Sequence, residues 1–307
     1  MKLVFFGTPD FAVPTLISLH KSSHDILSVV TAPTKRSGRG LHYNSSSIKK
    51  QALRLNIPIL EPVNLIDDNF LSKIDLLKPD IYIVVAFRIL PEVLLKIPKI
   101  GAINLHASLL PKYRGSAPIA HAILNGETKT GVTTFLIENK VDNGDILLQH
   151  QHNISADTTA GELLSQLAQI GAKVVLNTID GLVENSINFK KQNNNLASFA
   201  PKINTLSCKI NWNYSADDIH NQIRAFTPVP GAFTFYKNKR VKLFDSKVEA
   251  NSKLLKPGDL NYIKPFLEIG TGSNSILIRE IQIEGKKKIP VADFILGNHN
   301  IIGDHFV

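Results

Sequence analysis

Asn104 and His106 stand two residues apart in the stretch Gly101-Ala-Ile-Asn-Leu-His-Ala-Ser108, alternating with Ile103 and Leu105. On a β-strand that alternation puts the two apolar side chains on one face and the amide with the imidazole on the other. An amide N–H can polarise a carbonyl oxygen, and an imidazole can move a proton near neutral pH. The pair therefore suits attack on a carbonyl carbon. Further along, Val141-Asp142-Asn143-Gly144-Asp145 offers a carboxylate, Asp142, that could orient an imidazole and favour its charged form. Taken alone, the same residues also fit a hydrogen-bonded Asn and a half-buried His at a strand end, with a tight Asp-Asn-Gly hairpin turn.

The elements that must position these groups follow from hydrophobic patterning. Lys2 to Phe6 is a short apolar run ended by Gly7-Thr8-Pro9-Asp10. A helical pattern through Phe11, Val13, Leu16 and Leu19 follows, then a strand from Ile26 to Thr31. This is the opening of a doubly wound α/β sheet. Gly7 stands alone, without a Gly-x-Gly-x-x-Gly fingerprint, which argues against a dinucleotide-dependent dehydrogenase. Helices are expected over 48–55 and 65–77. The apolar run Asp80 to Ala86 reads as a strand covered on both faces. The loop Phe87 to Pro91 and the end of the strand 100–106 share the carboxyl edge of such a sheet, where open α/β folds bind ligands. Ser116 is expected to cap a helix ending at Leu124, with strands over 131–138 and 146–152. Asp157 or Thr158 is expected to cap a long helix reaching about Val183.

Two stretches break the pattern. Residues 32–47 read as a structureless loop, with Pro33, Gly38, Gly40 and three serines at 45–47. The loop carries Lys35, Arg36 and Arg39, and no acidic residue occurs between Asp25 and Glu61. Such a basic arm suits a phosphate-bearing partner. Residues 189–206 hold no acid and a run of three asparagines, and read as an interdomain linker. The expected division is a domain over 1–189, a linker over 190–207 and a domain over 208–307. The last contains several short strands, which suggests a small antiparallel barrel of the oligonucleotide-binding (OB) type. Residues 1–189 carry 18 Lys+Arg against 16 Asp+Glu, whereas 190–307 carry 17 against 10, so the second domain is the basic one. Excess lysine for solubility would give the same balance. One cysteine, Cys208, no long apolar run and no signal-peptide pattern imply a reducing cytoplasm and no membrane. One cysteine and scattered histidines offer no metal-ligand cluster.

The stretches Asn104-Leu-His-Ala-Ser-Leu-Leu-Pro111, Tyr113-Arg114-Gly115 and Asp142-Asn-Gly-Asp145 together resemble the signature of the 10-formyltetrahydrofolate-dependent formyltransferases. The opening Phe6-Gly-Thr-Pro-Asp-Phe11, the Gly38-Arg39-Gly40 loop and Arg224-Ala-Phe-Thr-Pro-Val-Pro-Gly-Ala232 are similar to the branch of that family that formylates methionyl initiator tRNA, over essentially the whole chain. The resemblance implies an α/β, Rossmann-like doubly wound catalytic domain with a smaller C-terminal OB-like β-barrel domain that binds tRNA. It implies 10-formyltetrahydrofolate as co-substrate, no metal, initiator methionyl-tRNA as acceptor, and a cytoplasmic monomer working in translation initiation. Asn104, His106 and Asp142 would be catalytic. Ile89, Leu90, Pro91, Ser108, Leu109, Leu110 and Pro111 would line the folate site, and Lys35, Arg36 and Arg39 would engage the acceptor stem. Leu41-His42 stand where the family's loop often has lysines, and the segment 86–91 is one residue shorter than the common pattern, with an unusual Arg88. A sugar-nucleotide amine formyltransferase would share both domains but gives no reason for the basic arm. A non-enzymatic RNA-binding protein leaves Asn104, His106 and Asp142 unexplained.

Overall fold

The computed structural model describes residues 1–37, 42–250, 255–297, 301 and 303–307. The chain forms two compact units. The first comprises residues 1–115, 130–152 and 164–200, and the second residues 116–129, 153–163 and 201–307.

In the first unit, β1 (Lys2–Gly7), α1 (Val13–His20) and β2 (Asp25–Val30) open the chain. Next come β3 (Lys35–Ser37), β4 (His42–Asn44), α2 (Ser47–Arg54), β5 (Ile59–Leu60) and α3 (Asp68–Leu76). β6 (Ile81–Val85), α4 (Glu92–Leu95) and β7 (Gly101–His106) follow. After α5 (Pro118–Leu124), which belongs to the second unit, come β8 (Lys129–Leu136), β9 (Ile146–Asn153) and α6 (Ala160–Val183). The main sheet has the order β5-β2-β1-β6-β7-β8-β9. From β5 to β7 the pairs are parallel, and β8 joins β7 antiparallel. The order runs outward from β1 in both directions, so a switch point lies between β1 and β6, and the loop after β6 leaves from it. β6 is buried along its whole length, as a strand covered on both faces must be. Phe6 packs on Tyr82 at 4.9 Å between ring centroids, in a cluster with Val4, Val30, Val84 and Leu94.

Four local expectations are corrected. Residues 32–47 are not structureless, because β3 and β4 pair antiparallel, with Arg36 opposite Tyr43. Apolar alternation is missing there, so the pattern gave no strand signal. Ser116 does not cap α5. Ala117 precedes its first turn without a side-chain hydrogen bond, and Pro118, with its preset φ, begins the helix. For α6 the cap is neither Asp157 nor Thr158. Thr159 and Glu162 form a reciprocal box, in which the Thr159 N–H donates to Glu162 Oε2 at 2.9 Å and the Glu162 N–H donates to Thr159 Oγ1 at 3.3 Å. Helix α3 starts later than its apolar pattern because Asp67 caps it, accepting from the Phe70 N–H at 3.0 Å.

The second unit holds α7 (Ala216–Phe226) and the strands β10 (Phe233–Tyr236), β11 (Lys239–Glu249), β12 (Leu260–Ile263), β13 (Phe266–Gly270), β14 (Ser275–Ile283) and β15 (Ile289–Pro290). The short helix α8 (Val291–Leu296) follows. The expected small antiparallel β unit is there, in the order β10-β11-β14-β13-β12 with β15 on β14. Lys237 and Asn238 both have positive φ, 48° and 61°, which is the two-residue turn that matches strand twist in a hairpin. The fully buried Phe226 and Phe306 and the nearly buried Trp212 anchor its core, and the Trp212 indole N–H donates to Thr234 Oγ1 at 3.1 Å.

Candidate active site

Strand β7 delivers Asn104 and His106 to the carboxyl edge of the sheet. Asn104 lies between Val84 of β6 and Phe135 of β8, and His106 lies opposite Thr133. Asn104 is half-buried, while His106 is 6% exposed and stands edge-on to the Phe135 ring. His106 Nε2 is 2.9 Å from the Tyr113 carbonyl oxygen. A carbonyl can only accept, so Nε2 carries the hydrogen. Nδ1 then faces Asp142 Oδ2 at 3.8 Å, close enough for Coulomb attraction but too long for a hydrogen bond. Burial pulls the imidazole below the ordinary histidine range, and the Asp142 charge and the Tyr113 carbonyl offset only part of that. The resting imidazole is therefore neutral at pH 7, with its lone pair on Nδ1.

Two loops meet at this histidine. The first, Ser108 to Gly115, is folded on itself. The Ser108 hydroxyl donates to the Lys112 carbonyl at 2.6 Å, and Thr133 Oγ1 donates to the Ser108 carbonyl at 2.6 Å. The second carries Asp142, whose Oδ2 accepts from the Gly115 N–H at 2.8 Å. Tyr113 and Asp142 both have left-handed backbones, with φ of 60° and 51°. Such conformations persist only where the surroundings impose them. Gly144 is required by space, since a Cβ there would stand 1.7 Å from the Leu136 carbonyl oxygen.

Residues 190–200 run across both loops. Lys190 bridges Ile146, the Ser198 hydroxyl accepts from the Tyr113 N–H at 2.9 Å, and Phe199 bridges Arg114. Gln192 reaches both loops. Its Oε1 accepts from Arg114 Nε at 3.1 Å and Nη2 at 2.7 Å, and its Nε2 donates to the Asp142 and Gly144 carbonyls at 3.0 and 2.8 Å. Sequence reasoning passed over Gln192. The available signal was Arg114, because a buried guanidinium needs acceptors from somewhere.

A family model described as Formyl transferase matches residues 1–179, and one described as Formyl transferase, C-terminal domain, matches residues 202–299. The chain belongs to the formyltransferase family. A methionyl-tRNA formyltransferase from Alkaliphilus oremlandii is 44% identical over 311 residues, spanning 99% of this chain and 100% of that protein. Among solved structures, a sugar 3N-formyl transferase determined in the presence of dTDP and 5-N-formyl-THF aligns at TM-score 0.68 and 25% identity, over 94% of this chain and 99% of its own. The methionyl-tRNA formyltransferase from Clostridium thermocellum shares the fold at TM-score 0.59 and 16% identity, over 92% of this chain and 98% of its own.

Other residues expected at the site of this formyltransferase fall into two groups. Ile89 is exposed at 78%, and Leu109 and Pro111 are half-buried. Leu90, Ser108 and Leu110 are buried, Leu90 in the core cluster and Leu110 beside Phe135 and Ile146. Pro91 begins α4. The Arg88 guanidinium donates to the Pro62 and Val63 carbonyls, which ties the loop after β6 to the loop after β5. Lys35 and Arg36 belong to β3, and Arg39 lies outside the described residues. The roots of this hairpin are clamped. Glu61 accepts from the Thr34 N–H at 3.0 Å and from Lys49 Nζ at 2.6 Å, and Thr31 and Ser46 share a hydroxyl hydrogen bond of 2.7 Å. Burial pushes the Glu61 carboxyl up, but Lys49 and Thr34 outweigh it and hold it below its ordinary range. Among the described residues no group of three His, Cys, Asp or Glu side chains could hold a metal ion, and no helix is long and apolar enough to cross a membrane.

Proposed function

We propose that the chain transfers the formyl group of 10-formyltetrahydrofolate to the α-amine of methionyl initiator tRNA. The observation that carries the chemistry is the buried His106, with one nitrogen tied to the Tyr113 carbonyl and the other facing Asp142, two residues after Asn104 on the same strand. In the reaction the amine attacks the formyl carbon, the bond from that carbon to N10 of the folate breaks, and the amine proton ends on N10. Charge gathers on the formyl oxygen, where Asn104 donates a hydrogen bond. Nδ1 of His106 is the nitrogen left to take the proton and return it to the leaving N10. An imidazolium in so dry a site is costly, and the Asp142 charge lowers that cost.

Ile89, Pro91, Leu109 and Pro111 would form the accessible wall for the folate, with Leu90, Ser108 and Leu110 shaping it from behind. Lys35, Arg36 and Arg39 would grip the acceptor stem, and the basic residues after 208 the tRNA backbone. In this reading residues 1–189 are the catalytic domain, 190–207 connect it, and 208–307 are the tRNA-binding domain of a cytoplasmic monomer. The acceptor is favoured by the methionyl-tRNA formyltransferase that is 44% identical across the whole chain, against 25% for the sugar enzyme. Incubation with 10-formyltetrahydrofolate and methionyl initiator tRNA should yield formyl-methionyl-tRNA, while a sugar-nucleotide amine should react far more slowly. The reverse preference would overturn the acceptor assignment.

A further inference from the structure

Gln192 is the side chain that joins the two loops meeting at His106. An amide has one carbonyl oxygen with two lone pairs and two N–H donors. All four are used here. Arg114 can only donate and the Asp142 and Gly144 carbonyls can only accept, so a flipped amide would place donor on donor and acceptor on acceptor. Asn194 Oδ1 holds Arg114 Nη2 from a further side, at 2.9 Å. The Asp142 turn is left-handed at Asp142 itself, and Gln192 grips the carbonyls at 142 and 144. The Asp142 carboxylate is fixed in turn to Gly115, the residue after Arg114. The four Gln192 hydrogen bonds and the one from the Gly115 N–H to Asp142 therefore close a ring from Arg114 through Gln192 and Asp142 to Gly115.

We infer that Gln192 is a positioning residue of the formyl-transfer reaction, holding the Asp142 carboxylate at its distance from His106 Nδ1 without touching either substrate. The inference rests on the roles proposed above for His106 and Asp142. The charged groups in the ring are Asp142 on its own loop and Arg114 on the 108–115 stretch, while residues 190–200 contribute the neutral Gln192 and Asn194. Gln192→Glu keeps acceptors for Arg114 but sets oxygen against the Asp142 and Gly144 carbonyls. Gln192→Ala removes all four hydrogen bonds.

The test measures kcat and KM for formyl transfer in the full-length wild type and in Gln192→Glu and Gln192→Ala. It also follows the His106 ring by NMR across pH in the protein without substrates. Releasing the turn should lower kcat by roughly 10- to 100-fold, the scale of a 1 Å misplacement, with KM for folate and tRNA within about 2-fold. With Asp142 displaced, His106 should titrate at lower pH, because the carboxylate does more than the Tyr113 carbonyl to draw its proton affinity upward. The His106 titration is read in Gln192→Ala, since Gln192→Glu adds a charge of its own; should Gln192→Ala fail to fold, wild-type kcat in Gln192→Glu still overturns the inference. Wild-type kcat, or reduced kcat with an unmoved His106 titration, would overturn the inference. A wild-type protein inactive on methionyl-tRNA would overturn the acceptor instead, and the NMR arm would still report on Gln192.

Discussion

Gly144 offers a direct way to move Asp142 without altering a charge. A Cβ at this position would sit 1.7 Å from the Leu136 carbonyl oxygen and 2.8 Å from its carbon, both backbone atoms at the end of β8. Carbon and oxygen settle near 3.4 Å or more, so in Gly144→Ala the turn must back away by about 1.7 Å unless β8 gives instead. A shift of that size would stretch the 2.8 Å bond between Asp142 Oδ2 and the Gly115 N–H beyond hydrogen-bonding range. It would also loosen the Gln192 bond to the Gly144 carbonyl. Overpacking of this kind costs about 1–3 kcal/mol of stability, and misplacing a catalytic carboxylate by over 1 Å costs roughly 100-fold in turnover. The expected outcome is a protein folded at 25 °C by circular dichroism, with a lowered urea midpoint, kcat reduced about 100-fold and near-normal KM for folate and tRNA. Full turnover in a variant whose midpoint has dropped would refute the claim that this turn holds catalytic geometry.

Three further predictions follow from the site. His106→Ala and Asn104→Ala should each cut turnover by about 100-fold or more, the usual scale for a lost acid–base group or oxyanion donor, with tRNA binding by filter retention nearly unchanged. Asp142→Asn should move the acidic limb of the kcat/KM profile to lower pH. Burial already depresses the His106 pKa, Asp142 and the Tyr113 carbonyl oppose that, and removing the Asp142 charge leaves only the carbonyl against burial; a limb that moves upward contradicts the electrostatics. Arg36→Ala combined with Arg39→Ala should leave folate affinity and any slow transfer to a small amine unchanged, yet weaken methionyl-tRNA binding and flatten its salt dependence by about two charges; equal losses on both acceptors would make the arm a general support of the site.

Much of the carboxyl edge of the sheet was legible in the residues. β6 and β7 announced themselves through an unbroken apolar run and a period-two alternation, and the alternation alone put Asn104 and His106 on one face. The distance from His106 to Asp142 was not legible, because it depends on a left-handed turn and on a loop folded by Ser108 and Thr133, neither of which spacing encodes. The 190–200 stretch reads as a connector because asparagine and lysine are what connectors contain. Its hydrogen bonds to Tyr113, Arg114 and Asp142 are long-range pairings that composition cannot report. The β3–β4 hairpin was missed for a related reason, having backbone pairing without an apolar face. Leu90, Ser108 and Leu110 are buried while Ile89 is exposed, a difference that a sequence motif does not record.

The clamp at the roots of that hairpin bears on how its charge is delivered. A group carried on an arm acts at an effective concentration set by the volume the arm can sweep. Thr31 and Thr34, before β3, are tied to Ser46 and Lys49, after β4, and to Glu61, so the backbone at both roots of the pair is held in place. The Lys49–Glu61 pair is half-buried and less screened by salt than a surface pair would be. Loosening Glu61 would therefore dilute the arm's positive charge without removing any of it.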